Sequence, residues 1–271
     1  MVLGGPRTAG RMTAPSLLNP VEFTAEFAAV ASQAGLQPET LGDFAGHPLT
    51  VFTKRTAGPR PRVYLSAGIH GDEPAAPLAL LTLLRQGFLD ARCNWFVCPL
   101  LNPTGFLRAT RHNQEDIDLN RDYKDGRTGE VRAHRGWLQR QPNFDLAICL
   151  HEDWEATGFY LYELNPDARP SLAEAMLASA RCHGPIDPAT VIDGRAVTAP
   201  GLIRPTGDPL LRESWPEAIY LHHHHATLGY TVETASGQPL EQRIRTHVAV
   251  LTAAIVGISR WGDAGPGFSP R

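Results

Sequence analysis

Two apolar segments of this 271-residue chain each lead into a histidine, and this arrangement constrains the fold more than any other feature. The run at residues 63–65 is followed by His70-Gly71-Asp72-Glu73, and the run at residues 145–150 leads directly into His151. Short apolar runs of this kind are typical of buried strands in a sheet. Ligands of open α/β sheets collect outside the carboxyl ends of the strands, so we expect the two histidines to lie close together.

The residue types at these strand ends are those that bind zinc. His70 and Glu73 provide an imidazole and a carboxylate three residues apart, and His151 is the candidate for a third ligand. Three protein ligands leave one coordination position open, which is typical of a catalytic zinc site. His112 is the competing candidate for the third ligand, although it does not follow a core strand.

Helix and strand signals alternate along the chain. Asn19 and Pro20 are typical of a helix start, and the apolar stripe that follows them stops at Gly35. Pro74 opens a second helix, and the last one starts near Pro239. This alternation predicts an α/β fold, a three-layer α/β/α sandwich in which residues 1–271 form a single domain with flexible ends at 1–18 and 262–271.

Charge and composition exclude several classes of partner. A net charge of −3 and a pI near 6.4 give no electrostatic reason to expect nucleic-acid binding. No uncharged apolar run reaches 18 residues, so we expect no membrane span. The first 19 residues lack the apolar centre of a signal peptide, and the four cysteines show no C-x-x-C pair. These features predict a cytoplasmic protein with free thiols.

Four further motifs follow the H-G-D-E sequence in a fixed order. They are N-P-T-G at 102–105, T-R-H-N at 110–113, D-L-N-R at 118–121 and, beyond His151, G-Y-T-V-E-T at 229–234. In this order the chain resembles the zinc carboxypeptidase family, and in particular its small bacterial branch that is similar to murein peptide amidase. The succinylglutamate desuccinylase/aspartoacylase family has similar H-G-x-E and D-L-N-R patterns. The resemblance extends from about residue 63 to 235 and implies a mixed sheet of about eight strands.

The resemblance also implies roles for individual side chains. Arg111, rather than its neighbour Arg108, would stabilise the oxyanion that develops on the scissile carbonyl. Asn120 and Arg121 would hold the terminal carboxylate of the substrate through the planar guanidinium group. Glu233 would act as general base, and its alternation with Val232 allows it to point into a pocket.

The chain departs from the family pattern around Tyr220. This tyrosine has the local sequence of the family's substrate-binding tyrosine, but it stands only thirteen residues before Glu233, a shorter separation than usual. We keep it as an expected substrate-binding residue. Four consecutive histidines, at 222–225, follow it and form either a polar loop beside the site or part of the cleft wall.

Together these observations predict a zinc metallocarboxypeptidase that hydrolyses a peptide or amide bond next to a free carboxylate. The N-P-T-G sequence favours a peptidase that acts on a small peptide. The alternative is an N-acyl amino acid deacylase, whose acylated amino acid substrate also ends in a carboxylate. A second alternative is a non-catalytic zinc-binding module, against which the presence of Glu233 and both Arg111 and Arg121 argues.

Overall fold

The computed structural model describes residues 18–226 and 228–263, the last two by their backbone alone. Within these residues, seven α-helices surround ten β-strands. The helices are α1 (Pro20–Gln33), α2 (Ala75–Arg85), α3 (Pro103–Arg108), α4 (Gly129–Leu138), α5 (Ala173–Arg181), α6 (Glu217–His224) and α7 (Leu240–Asp263). The strands are β1 (Gln37–Phe44), β2 (His47–Lys54), β3 (Arg62–Ser66), β4 (Asn94–Cys98), β5 (Leu146–Asp153), β6 (Tyr160–Leu164), β7 (Val191–Ile192), β8 (Arg195–Ala196), β9 (Leu202–Ile203) and β10 (Gly229–Ala235). Short 3₁₀ turns cover Leu119–Arg121 and Pro209–Leu211.

Eight of these strands form one mixed sheet in the order β1-β2-β4-β3-β5-β10-β6-β9, and β7 pairs with β8 in a separate hairpin. The central strands β4, β3, β5 and β10 run parallel to one another. Strands β2 and β6 pair antiparallel with the two outer members of this set. The predicted α/β fold with a mixed, about eight-stranded sheet is confirmed. Because the four central strands are parallel, their carboxyl ends meet at one edge.

Alternation along the central strands divides the core into two layers. Leu146, Ile148 and Leu150 of β5 pack on the side covered by α1, α2, α5 and α7. Ala147 and Cys149 face the opposite side, which is covered by α4 and α6. Since successive side chains of a strand point to opposite faces, an unbroken apolar run such as β5 is buried on both faces. The helices on the two faces complete the three-layer sandwich.

The helix ends test several sequence expectations. The side chain of Asn19 accepts hydrogen bonds from the backbone nitrogens of Val21 and Glu22, at 3.0 and 3.4 Å, so it caps α1 as predicted. Helix α7 continues through Asp263, so residues 262 and 263 belong to a helix and not to a flexible end. The other residues of the two expected flexible ends, apart from the buried Leu18, lie outside the described residues. In the described part of the chain, no helix has the length and apolar character to cross a membrane.

Candidate active site

Three buried side chains meet at the carboxyl edge of the sheet. His70 and Glu73 lie in the loop between β3 and α2, and His151 lies near the end of the neighbouring strand β5. One ligand atom from each lies within 4.8 Å of the other two. Each carboxylate oxygen of Glu73 faces one imidazole, at 2.5 Å from Nδ1 of His70 and 3.0 Å from Nδ1 of His151. The Nδ1 atoms therefore point into the same small space as the carboxylate.

The electrostatics of this cluster favour a cation. Burial lowers the pKa of His70, but the carboxylates of Glu73 and Asp118 outweigh that effect and raise the pKa to about 9. Burial raises the pKa of Glu73, but the two imidazoles have the larger combined effect and hold this pKa well below its usual value. Two nitrogen donors and one carboxylate, arranged around a space that stabilises positive charge, fit a divalent metal ion.

Asp118 contacts both His70 and Arg111 through its carboxylate. Its Oδ1 accepts a hydrogen bond from Nε2 of His70 at 3.2 Å, and its Oδ2 accepts one from Nε of Arg111 at 2.9 Å. The first bond keeps a proton on Nε2 of His70, so Nδ1, which faces Glu73, is the ring nitrogen that a metal ion would bind. Burial raises the pKa of Asp118, but the bond from His70 and the nearby positive charge of Arg111 lower it overall. No local sequence signal indicates this role of Asp118.

The N-P-T-G sequence supports the loop that carries His70. The side-chain nitrogen of Asn102 donates to the carbonyl oxygen of Ile69 at 3.1 Å, and its oxygen accepts from the backbone nitrogen of Gly105 at 2.9 Å. The backbones of Gly71 and Gly105 also pass so closely that a Cβ on Gly71 would lie 2.0 Å from the carbonyl carbon of Gly105. Gly71 is therefore required by this approach of two backbones, whereas a Cβ on Gly105 would lie 2.5 Å from Nδ2 of Asn102 and 2.8 Å from the carbonyl oxygen of His112.

Glu152 ties His151 to two helices. Its carboxylate accepts from the backbone nitrogen of Ala75, at the start of α2, at 2.6 Å, and it forms a buried ion pair with Arg243 of α7. Burial raises the pKa of Glu152 to about 7, although Arg243 acts to lower it. Because α2 follows Glu73 closely, this contact joins the chain segments that carry all three candidate ligands.

A cavity of about 500 Å³ opens above the cluster and also receives Arg111, Asn120, Arg121 and Glu233. Glu233 lies on β10 directly beside His151 of β5, and adjacent strands are about 4.8 Å apart. Burial raises the pKa of Glu233 and the carboxylate of Glu73 raises it further, while His151 lowers it; the net direction is upward. The structure therefore brings the predicted base, the two arginines and Asn120 into one pocket with the three predicted ligands.

Asn120 and Arg121 differ in how firmly they are held. Asn120 is 8% exposed. Its side-chain oxygen accepts a hydrogen bond from the backbone nitrogen of Glu217 at 2.9 Å. Arg121 is exposed, and among residues 18–226 and 228–263 its one hydrogen-bond acceptor is the carbonyl oxygen of Asn120, at 2.9 Å. Arg111 is half-buried, with its Nη1 3.7 Å from Glu73 Oε1.

Tyr220 is the predicted site residue that the structure places elsewhere. It is 1% exposed and packs in the core against Tyr123 and His224, with ring centroids 5.9 and 4.5 Å away. On α6, Ala218 and Ile219 line the pocket, and the next residue is rotated by about 100° toward the core. The expectation that Tyr220 contacts substrate is thus corrected by the rotation of this helix.

The alternatives considered for other positions also lie outside the pocket. His112 is bound to Asp116 at 3.0 Å on an exposed loop, away from the candidate ligands. Arg108 donates to two backbone carbonyl groups at 3.4 Å, so Arg111 is the arginine at the cluster. The histidines at 222–225 end α6 and turn away from the cavity, which agrees with a polar segment beside the site.

Two tyrosines and two arginines are among the pocket residues that were not identified from the sequence. Tyr160 and Tyr162 project from β6 on the same face as Glu233, and the hydroxyl group of Tyr160 donates to Asp153 at 2.8 Å. Arg195 comes from β8, and Arg212 follows the 3₁₀ turn at Pro209–Leu211. The alternation of side chains in β6 could be seen in the sequence. The segment from 165 to 216 carries no motif that would place Arg195 and Arg212 in the pocket.

Solved structures with the same fold show to which class these features belong. A presumed metallopeptidase from Shewanella amazonensis SB2B has 28% identity, and the match covers 88% of this chain and 92% of that one with a TM-score of 0.76. A metallo-carboxypeptidase from Burkholderia cenocepacia (18% identity, 88% and 68% coverage, TM-score 0.63) and carboxypeptidase A from Helicoverpa armigera (14%, 96% and 78%, 0.67) share the fold. The chain thus shares the zinc carboxypeptidase-like fold of these structures, with its three candidate metal ligands together at one edge of the sheet.

A family model is more specific. The succinylglutamate desuccinylase/aspartoacylase catalytic domain matches residues 59–256, and the chain belongs to this family. The resemblance predicted from the motifs is confirmed by this match and by the structural neighbours. A search of curated proteins gave no match.

Proposed function

We propose that the protein is a zinc-dependent hydrolase that cleaves a peptide or amide bond next to a free carboxylate, and that its substrate is a small peptide. One observation carries this proposal: three buried candidate ligands share a single cavity with a carboxylate base and with a pair of residues suited to bind a carboxylate. The similarity to a presumed metallopeptidase over most of both chains supports a peptide substrate.

His70, Glu73 and His151 would hold the metal ion through two imidazole nitrogens and one carboxylate. Zinc is the metal that this donor set fits best among those common in hydrolases. A bound divalent ion supplies Lewis acidity, which polarises a carbonyl group and lowers the pKa of water.

The remaining side chains divide the proton transfer and the charge stabilisation between them. Glu233 accepts a proton from the attacking water and delivers it to the leaving nitrogen, and its raised pKa suits both steps near neutral pH. Arg111, held by Asp118, stabilises the oxyanion that forms on the substrate carbonyl. Asn120 and Arg121 bind the free carboxylate and so place the scissile bond at the cluster.

A second candidate, an N-acyl amino acid deacylase, is favoured by one observation. Arg195 and Arg212 line the cavity, and among the described residues neither has a carboxylate within ion-pairing distance. Burial lowers the pKa of Arg212, and the nearby charges of Arg195 and Arg121 lower it further, while the carboxylate of Asp193, which also lines the cavity, acts to raise it. Guanidinium groups gathered in this way suit a substrate with a second anionic group, such as an acylated acidic amino acid.

A substrate panel tests the proposal and separates the two candidates. The zinc-loaded and chelator-treated protein would be assayed on peptides and N-acyl amino acids, each with a free and an amidated terminal carboxylate. We expect metal-dependent turnover of the free acids, with peptides preferred. A preference for acyl derivatives of acidic amino acids would establish the second candidate instead. Turnover that survives metal removal, or that ignores the terminal carboxylate, would refute both.

A further inference from the structure

Glu217 is a buried carboxylate that lies below the cavity floor and is not part of the proposed chemistry. It begins α6 and is 1% exposed. One carboxylate oxygen accepts a hydrogen bond from the hydroxyl group of Tyr64, and the other accepts one from Ser66 at 2.9 Å. Both partners are buried side chains of β3, the strand that leads to His70 and Glu73. Glu217 therefore fastens the first turn of α6 to the central sheet.

The hydroxyl groups around Glu217 form a chain in which each hydrogen bond fixes the next. Because Tyr64 donates to Glu217, its oxygen is free to accept from Nε2 of His134, which is 3.1 Å away. The other ring nitrogen of His134 then accepts from the hydroxyl group of Tyr123 at 2.6 Å. Burial lowers the pKa of His134 to about 3, which agrees with a neutral ring holding one proton. A satisfied buried network of this kind gives a rigid anchor.

The backbone of the same residue determines how Asn120 faces the cavity. The backbone nitrogen of Glu217 donates to the side-chain oxygen of Asn120 at 2.9 Å. An asparagine side chain has one oxygen and one NH₂ group, so the NH₂ group is the end left for the substrate. An NH₂ group makes a charge-assisted hydrogen bond to either oxygen of a carboxylate, whereas an amidated substrate offers one neutral oxygen and an NH₂ group from which the Asn120 NH₂ group cannot accept.

We propose that Glu217 is a positioning residue for carboxylate selectivity: its side chain anchors α6, and its backbone N–H orients Asn120 with the amide NH₂ toward the substrate. This inference rests on the proposed function, in which Asn120 contacts a terminal carboxylate. Without the anchor, the N–H group of residue 217 no longer holds the oxygen of Asn120. The side chain can then turn by 180° and present its oxygen, which repels a carboxylate and accepts from an amide.

The chain contains a matched control for this idea. Glu163 is also buried, at 5% exposure, and its carboxylate also accepts from a serine and a tyrosine, Ser171 and Tyr230, in addition to an ion pair with Arg204 at 3.0 Å. It projects from β6 away from the cavity, to which the neighbouring residues Tyr160, Tyr162 and Leu164 contribute. Replacing Glu163 thus removes a comparable buried carboxylate without reaching Asn120.

The test compares kcat/KM for matched acid and amide substrates in zinc-loaded wild type, E217A, E217Q and E163A. We expect E217A to lose about tenfold or more on the acid through a higher KM, with little change on the amide. E217Q, which keeps the side-chain shape, should recover most of the acid preference, and E163A should keep all of it. In an N120A background, E217A should not change the acid-to-amide ratio further, because the two residues act on the same contact.

The outcomes separate the two proposals. An unchanged acid-to-amide ratio in E217A, or equal losses on both substrates, would refute the positioning role while leaving the proposed function intact. If E217A does not fold, the same ratio measured in S66A, which removes the hydrogen bond from Ser66 to Glu217, decides the question, and a wild-type ratio in S66A would refute the positioning role. A wild type without any acid preference would refute both, and zinc content measured on each protein shows whether the metal site survives.

Discussion

Replacing Asp118 with asparagine is the sharpest test of the polar contacts that support the candidate metal site. The wild-type carboxylate accepts one hydrogen bond from His70 and one from Arg111, at 3.2 and 2.9 Å. Asparagine has nearly the same shape but only one accepting atom and no charge. One of the two donors must therefore face an NH₂ group, which can accept nothing.

The expected loss is substantial because the contact is shielded from water. The side chain of Asp118 is 15% exposed, so solvent screens its charge only weakly. Hydrogen bonds to charged groups contribute about 1.5–3 kcal/mol. Loss of a partner that orients a metal-binding imidazole typically weakens metal affinity by about 10–100-fold, which corresponds to about 1.4–2.7 kcal/mol. The two magnitudes agree, and release of Arg111 should lower kcat in addition.

The assay is zinc competition against a chromogenic chelator, combined with a thermal unfolding curve to confirm that each variant is folded. Asp116 provides the matched control, because it lies two residues earlier and pairs with the exposed His112 at the surface. D116N should bind zinc like the wild type. Wild-type zinc affinity in D118N, or an equal loss in D116N, would refute the reasoning.

Three further predictions concern single side chains. H151A should stay folded but lose most of its zinc, as measured by metal analysis; stoichiometric zinc would exclude His151 as a ligand. E233Q should bind zinc and substrate normally, and its kcat should fall by about 10²–10⁴-fold; activity within tenfold of wild type would remove Glu233 from the mechanism. Burial lowers the pKa of His134 to about 3, so below pH 6.5 the unfolded chain binds a proton that the folded chain does not, and stability falls as the pH falls. Between pH 6.5 and 5 this effect lowers the free energy of unfolding by about 2 kcal/mol. H134Q should not show this loss when its urea unfolding is measured at the two pH values. The same loss in H134Q as in the wild type would contradict the assignment.

The candidate ligands could be predicted from the sequence because each follows a strong local signal. The apolar runs before His70 and His151 become β3 and β5, which lie side by side and parallel. Parallel neighbours bring their carboxyl ends to the same edge, so two strand-end histidines must approach each other. Glu233 follows by the same reasoning, since β10 is the next parallel strand.

The contacts that orient these groups could not be predicted, because they join distant segments in ways that no local pattern encodes. Asp118 reaches His70 across 48 residues, and Glu217 reaches Asn120 across 97. Tyr220 shows the same difficulty within one helix. A shift of one residue in a helix rotates the side chain by about 100°, so only the actual start of α6 decides that Ile219, and not Tyr220, faces the cavity.

The N-P-T-G sequence has a structural role that its resemblance does not indicate. The resemblance favours a peptidase. In the structure, Asn102 and Gly105 pack against the loop at Ile69 and Gly71, so they support the candidate metal ligands, and they are not among the residues that line the cavity. The choice between a peptide and an acylated amino acid therefore depends on the cavity wall, where Arg195 and Arg212 lie.

The central claim is that a free carboxylate on the substrate directs hydrolysis at this site. The most direct test is kcat/KM for one peptide as its free acid and as its amide, in wild type and in R121A. A charge-assisted contact to the Arg121 guanidinium predicts a loss of at least about tenfold on the acid and almost none on the amide. Equal losses on the two substrates would show that Arg121 supports the fold or the oxyanion, and would contradict the claim.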